Sequence, residues 1–218
     1  MQILNIVVYL ACDQLPQHSI ATTLQTGWGL STDVRNCLNT ALIVCAEHEL
    51  NTSTFTGRCI ASADANIYQV IIGALAAFSG NKHGGMLERI NNEYQQILNN
   101  KSPETELLQR LHQGSLVGFN HPLYPSGDPR AKLLLIALAQ IKPNQKLYEH
   151  LQKILTLLNN EALQPSVDFA LVATEQCLQL PPDSALKLFT IGRIVGWVAH
   201  ALEQYQRDSQ IRPRGSHV

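Results

Sequence analysis

Apolar residues recur at intervals of three and four along almost the whole chain, and alternating runs are scarce. A side chain that returns every 3.6 residues lines one stripe of a helix, whereas a half-buried strand needs a period of two. The pattern therefore predicts an all-α, multi-helical fold whose core is built from helix stripes. "STDVRNCLNTALIVCAEHEL", from Ser31, offers Ser and Thr as N-caps and an inward stripe of Val34, Cys37, Leu38, Ala41, Leu42 and Cys45. "STFTGRCIASA" and "NIYQVIIGALAAFSG" read as two further helices, the second apolar on most faces and so buried on all sides.

Two loops interrupt the periodicity. "GNKHGGM" follows Gly80, and its glycines let backbone approach a ligand closely. "GFNHPLYPSGDPR" packs two glycines and three prolines into residues 118–130, which demands a structured loop of the kind that often carries function. Between them lie the amphipathic "MLERINNEYQQILNN" and "SPETELLQRLHQG". Helices resume at Ala131 and again over 144–158, break at "LQPSVDF", where Pro165 favours an extended Gln164, and end with "ALVATEQCLQL" and a long "PDSALKLFTIGRIVGWVAHALEQYQ" capped by Asp183 or Ser184.

Charge excludes several partners. The 16 Lys and Arg balance 17 Asp and Glu, so no basic footprint exists for a nucleic acid backbone or an anionic membrane. The apolar stretch at residues 3–12 is far shorter than the ~20 residues of a bilayer span and has no basic segment before it, so neither a membrane anchor nor a signal peptide is expected. Five cysteines without a CxxC pair fit reduced thiols in a cytoplasmic protein. Only 15% of the residues are charged, below the ~25% usual for soluble domains, so part of the surface is expected to be covered by a homo-oligomeric interface.

The chemistry-bearing residues gather at element ends. His48, His83 and His121 sit where a neutral imidazole can polarise a carbonyl or move a proton. Asp168 starts a helix, where the dipole favours a carboxylate base, although an N-cap would look the same. Arg130, Arg193, Arg212 and Arg214 suit bidentate recognition of carboxylates, and Arg193, inside an apolar helix, could equally belong to a buried ion pair. His112, His150 and His200 read as surface or structural residues. No HxxxH, HExxH or Cys/His cluster points to a metal, no GxSxG to a nucleophilic serine, and no glycine-rich cradle to phosphate.

Six blocks in order resemble the citrate synthase family: "CAEHELNTSTF" (45–55), "GNKHGG" (80–85), "GFNHPLYPSGDPRAK" (118–132), "PSVDFAL" (165–171), "LFTIGRIVGWVAHALEQ" (188–204) and "IRPR" (211–214). The resemblance covers roughly residues 25–214 and corresponds to the C-terminal part of family members. It implies a homodimer in which a partial large domain, residues 1–82 and 189–218, closes with a small domain, residues 83–188. It also implies condensation of acetyl-CoA with oxaloacetate to citrate and CoA, with acyl-CoA as substrate and no cofactor. In those terms His83 resembles the histidine that stabilises the acetyl-CoA enol, Asp168 the base, His121 the donor to the oxaloacetate carbonyl and His48 a carboxylate-end ligand. Arg130, Arg193 and Arg212 resemble the carboxylate-clamping arginines, Arg212 acting in the partner's site. Methylcitrate synthesis and citryl-CoA cleavage use the same constellation, and a non-catalytic or subunit-dependent di- or tricarboxylate binder would share the pocket. Two positions depart from the family pattern: Leu87 stands where the family carries Asn, and Pro122 to Pro125 lack the family's basic residue.

Overall fold

The computed structural model describes residues 2–16, 18–98, 100–114, 116–141, 143–207 and 209–215. Within them are eleven α-helices and no strand: α1 (Gln2–Cys12), α2 (Ile20–Gly27), α3 (Arg35–Ala46), α4 (Thr52–Ala61), α5 (Ile67–Phe78), α6 (Gly85–Leu98), α7 (Pro103–His112), α8 (Pro129–Ala139), α9 (Gln145–Asn160), α10 (Val167–Cys177) and α11 (Ser184–Tyr205). The all-α expectation holds. The stripe read from Val34 to Cys45 is buried as expected. It meets the inner face of α11, where Leu188, Ile191, Ile194 and Trp197 are buried in the same apolar core. That core continues through α6, α8, α9 and α10.

Helix starts follow side-chain chemistry. Asn51 accepts from Thr54 N at 3.1 Å, Asn66 and Gln69 form a reciprocal capping box, and Asn144 accepts from Leu147 N at 3.2 Å. Three starts differ from the sequence reading. Ser31 opens a 3-10 turn, Thr32–Val34, and spends its hydroxyl on Asp33, so α3 begins only at Arg35. α8 begins at Pro129, because Asp128 caps it and a proline at the first helical position loses no hydrogen bond. Asp183 adopts a left-handed conformation (φ 65°) and makes no side-chain cap. Instead the Glu175 carboxylate reaches across from α10 to accept from Ala185 N at 2.7 Å, a tertiary cap that no local pattern encodes.

One close approach sets up everything that follows. A Cβ at Gly196 would lie 2.0 Å from the Ala46 carbonyl oxygen, and one at Gly192 would lie 2.6 Å from that of Leu42. Only hydrogen fits at either position, so α11 rests directly on the last two turns of α3 and fixes where α3 ends. α11 is also, among the described residues, the one helix long and apolar enough to cross a membrane. Just over half of its apolar stretch is buried in the core, and it carries Arg193 at 1% exposure.

Candidate active site

The ends of α3, α5 and α7 and the starts of α8 and α10 surround a cleft of about 740 Å³. His48, His83, His121, Arg130, Asp168 and Arg193 all line it. Six of the seven residues expected from the sequence therefore come together. Arg212 does not: it is exposed on the tail, which is tied to the end of α4 by Ile211 N donating to Ser62 Oγ at 3.0 Å.

The two sequence breaks meet in space, which explains how residues 40 positions apart share one site. Phe119 and Pro165 form an isolated antiparallel bridge. Ser166 N donates to Gly118 O at 2.9 Å and Asn120 N to Gln164 O at 2.8 Å. The loop needs left-handed backbone at Gly118 (φ 90°) and Gly127 (φ 106°), where glycine carries no Cβ penalty, and also at Asn120 (φ 53°). This pairing sets His121 beside the first turn of α10. Ser166, accepting from Phe169 N at 3.4 Å, caps that helix, so Asp168 is not the cap and its carboxylate is left for the cleft.

Asp168 is held where burial disfavours its charge. Burial pushes its pKa up to about 6, against the pull of Arg130, its own backbone N–H and Arg193. A carboxyl at that value is mostly ionised at pH 7 yet basic enough to take a proton. The three histidines are shifted the other way. Burial, with Arg193, lowers His83 to about 4. Burial, followed by Arg130, His121 and Arg193, lowers His48 to about 4. His121 is lowered by burial and Arg130. All three are thus neutral imidazoles at pH 7.

Hydrogen bonds constrain their roles. His121 Nδ1 accepts from Leu123 N at 3.2 Å, so in the neutral ring Nε2 carries the proton and is a donor. His83 Nε2 lies 2.8 Å from Ser53 Oγ, which also accepts from Trp197 Nε1 at 3.2 Å. Ser53 and Trp197 were not singled out in the sequence, because a serine on α4 and an indole on α11 become neighbours of His83 only through the α4–α11 packing. The ring of His48 stands edge-on to that of His121, centroids 5.0 Å apart.

The arginines differ sharply. Arg130 is paired with Asp128 through Nε at 3.0 Å and Nη2 at 2.8 Å, and the same carboxylate accepts from Val167 N at 3.0 Å. Asp128 is a third residue the sequence reading passed over, although its place before Pro129 marked it as a cap. Arg193 meets no carboxylate. Its Nε donates to Cys45 O at 2.8 Å and its guanidinium lies 5.4 Å from the Phe189 ring centroid, so the alternative of a buried ion pair finds no partner among the described residues. Arg193 Nη1 and His48 Nε2 are both buried without a hydrogen-bond partner there. A buried polar atom left unpartnered is costly, and two at one cleft mark where a polar ligand would sit.

Residues 10–214 match the model of the citrate synthase C-terminal domain. The chain belongs to the citrate synthase family. It is 35% identical over 185 residues to citrate synthase 2 of Bacillus subtilis, covering 83% of this chain and 50% of that protein. It is 31% identical over 188 residues to 2-methylcitrate synthase 2 of Corynebacterium glutamicum, covering 83% of this chain and 48% of that protein. Among solved structures, citrate synthase from Thermotoga maritima superposes with a TM-score of 0.80 at 27% identity, over 99% of this chain and 64% of the other. The ternary complex of carboxymethyl coenzyme A and oxaloacetate with citrate synthase from Thermoplasma acidophilum gives 0.77 at 26% identity, over 100% and 63%. The chain thus spans about half the length of the curated relatives it matches. Leu87, at the position where the family carries Asn, is buried in the core and does not line the cleft; its neighbour Met86 does.

Proposed function

We propose that the chain is a citrate synthase-type acyltransferase that condenses acetyl-CoA with oxaloacetate to give citrate and coenzyme A. The observation that carries this reading is the buried, unpartnered Arg193 Nη1 and His48 Nε2 on the same cleft as Asp168 and His83. A cation without a counter-ion fits a carboxylate, a neutral imidazole fits a carbonyl or second carboxylate, and oxaloacetate offers all of these. Arg193 and the remaining face of Arg130 hold its carboxylates, with His48 beside them. The relative solved with carboxymethyl coenzyme A and oxaloacetate supports the same ligand pair.

The chemistry then follows from the protonation states. Ionised Asp168 removes a proton from the thioester methyl group. A base this weak cannot deprotonate a thioester methyl group unaided, because negative charge develops on the thioester oxygen, so His83 donates a hydrogen bond to that oxygen as the enolate forms. Ser53 Oγ, 2.8 Å from His83 Nε2, would hold the orientation of that ring in the cleft. His121 Nε2–H donates to the ketone oxygen of oxaloacetate, and the enol carbon attacks the ketone carbon to give citryl-CoA. Water then cleaves the thioester and coenzyme A leaves as the thiol.

We further propose that the enzyme works in the cytoplasm as a homodimer in which Arg212 of one copy completes the cleft of the other. The free thiols and the exposed Ile43, Ile72 and Leu202 support that arrangement. The cleft would lie at the seam between a large part, residues 1–82 and 189–218, and a small part, residues 83–188. The 2-methylcitrate synthase relative supports a second acyl donor, propionyl-CoA, at the same site; one methylene changes discrimination by only about 1–3 kcal/mol. The test is thiol release from each acyl-CoA with oxaloacetate, with Asp168→Ala in parallel. Release that vanishes in the variant is the expected result; none from a folded wild-type chain leaves a di- or tricarboxylate binder.

A further inference from the structure

A chain of polar contacts outside the cleft ends at His48. Arg58, on α4 and 5% exposed, donates through Nη1 to Glu203 Oε2 at 2.8 Å and contacts His200 Nδ1 at 3.0 Å, while its Nη2 donates to Gln204 Oε1 at 3.0 Å. A guanidinium has no acceptor, so His200 Nδ1 must be unprotonated and accept. The neutral ring then carries its proton on Nε2, which lies 3.4 Å from Glu47 Oε1. That same oxygen accepts from Glu49 N at 2.5 Å. The Glu47 carboxylate therefore closes a turn over His48 from one side, and Asn51 Nδ2 donates to His48 O at 3.3 Å from the other. The turn needs the closure, since Glu49 holds a left-handed backbone (φ 52°) that a side chain disfavours.

We infer that Glu47 and His200 are positioning residues for His48: the Arg58–His200–Glu47 chain fixes the turn that holds the His48 imidazole in the cleft. Arg58 selects the tautomer of His200, His200 holds Glu47, and Glu47 holds the backbone on either side of His48. None of the three lines the cleft. The inference deepens the proposed reading of the cleft as an oxaloacetate site and rests on it.

The experiment is calorimetric titration of oxaloacetate into the purified full chain for wild type, Glu47→Ala, His200→Ala, the double variant, and Glu47→Ala placed in a His48→Ala background. Each single variant is expected to weaken binding about tenfold, the double no more than the weaker single, and Glu47→Ala to add nothing once His48 is gone, because groups acting in one chain are not additive. Wild-type binding that both single variants leave within twofold, or a full additive loss on the His48→Ala background, overturns the inference and leaves the oxaloacetate reading standing. A folded wild type that binds no oxaloacetate overturns the functional reading itself. Nitrogen-15 NMR of the wild-type histidines gives a second check if a variant unfolds: His200 protonated on Nε2 is expected, and His200 protonated on Nδ1 overturns the chain.

Discussion

Arg130 and Arg193 line the same cleft in opposite condition. Arg130 has a carboxylate of its own, Asp128, which also caps α8 and holds the first turn of α10, so this wall is complete without a ligand. Arg193, held by one carbonyl and resting over Phe189, keeps a buried nitrogen unpartnered. The contrast separates two uses of one residue type. Arg130 builds the wall it also presents to the cleft, and Arg193 is left with a nitrogen that nothing among the described residues satisfies. Removing a partner from the first should cost stability, whereas removing the second should cost binding alone.

The largest effect is expected where both guanidiniums act at once, on Asp168. Asp168→Asn keeps the shape and removes the base, and kcat should fall about 10²- to 10⁴-fold with the fold unchanged by circular dichroism. For the wild type, kcat should decline as pH drops below about 6, as that carboxyl gains its proton.

Next comes the wall that is already satisfied. Asp128→Ala leaves Arg130 buried without its counter-ion, uncaps α8 and frees Val167 N; urea denaturation should show a loss of about 3–5 kcal/mol. If Arg130 were only a ligand group, stability would hardly change.

Acid stability sharpens the comparison further. His48 and His83, held near 4 in the folded chain and near 6.5 when unfolded, stabilise the fold above pH 6.5, and that contribution is lost as pH falls from 6.5 towards 4. Asp168 has the opposite sign: raised from 3.8 to about 6, its contribution is present below 3.8 and lost as pH rises through 6. Between pH 7 and 5 the two oppose each other, so Asp168→Asn should lose more stability on acidification than wild type, as read from urea midpoints at the two pH values.

The smallest effect concerns two serines that look alike in sequence. Ser166→Ala removes the cap of the helix that carries Asp168 and should cost about 1 kcal/mol, whereas Ser31→Ala removes no backbone cap and should stay within about 0.5 kcal/mol.

These cases mark what the sequence makes legible. Helix stripes are local and periodic, so the buried face of α3 could be read directly. His48, His83, His121 and Asp168 stand at element ends within the blocks that resemble the citrate synthase family, and they line one cleft. Contacts between distant segments left no such trace. The bridging of 118–120 to 164–166, the cap of α11 by Glu175, the Ser53–Trp197 contact to His83 and the Arg58–His200–Glu47 chain all depend on which helices pack together. His200 shows the point most clearly, since on its own helix it reads as a structural residue. Arg193 was found by pattern, but only the packing of α11 on α3 through Gly192 and Gly196 reveals that it has no counter-ion.

The most direct test of the central contrast is the melting temperature of wild type and Arg193→Met with and without oxaloacetate. A ligand that binds only the folded chain raises its stability by RT ln(1 + [L]/Kd). The account predicts that oxaloacetate raises the wild-type melting temperature, that the ligand-free variant melts no lower than wild type because a buried unpaired charge has gone, and that the variant no longer responds. A variant that melts lower without ligand yet still gains stability from oxaloacetate would show that Arg193 builds the fold and does not bind the substrate, and the account would fail.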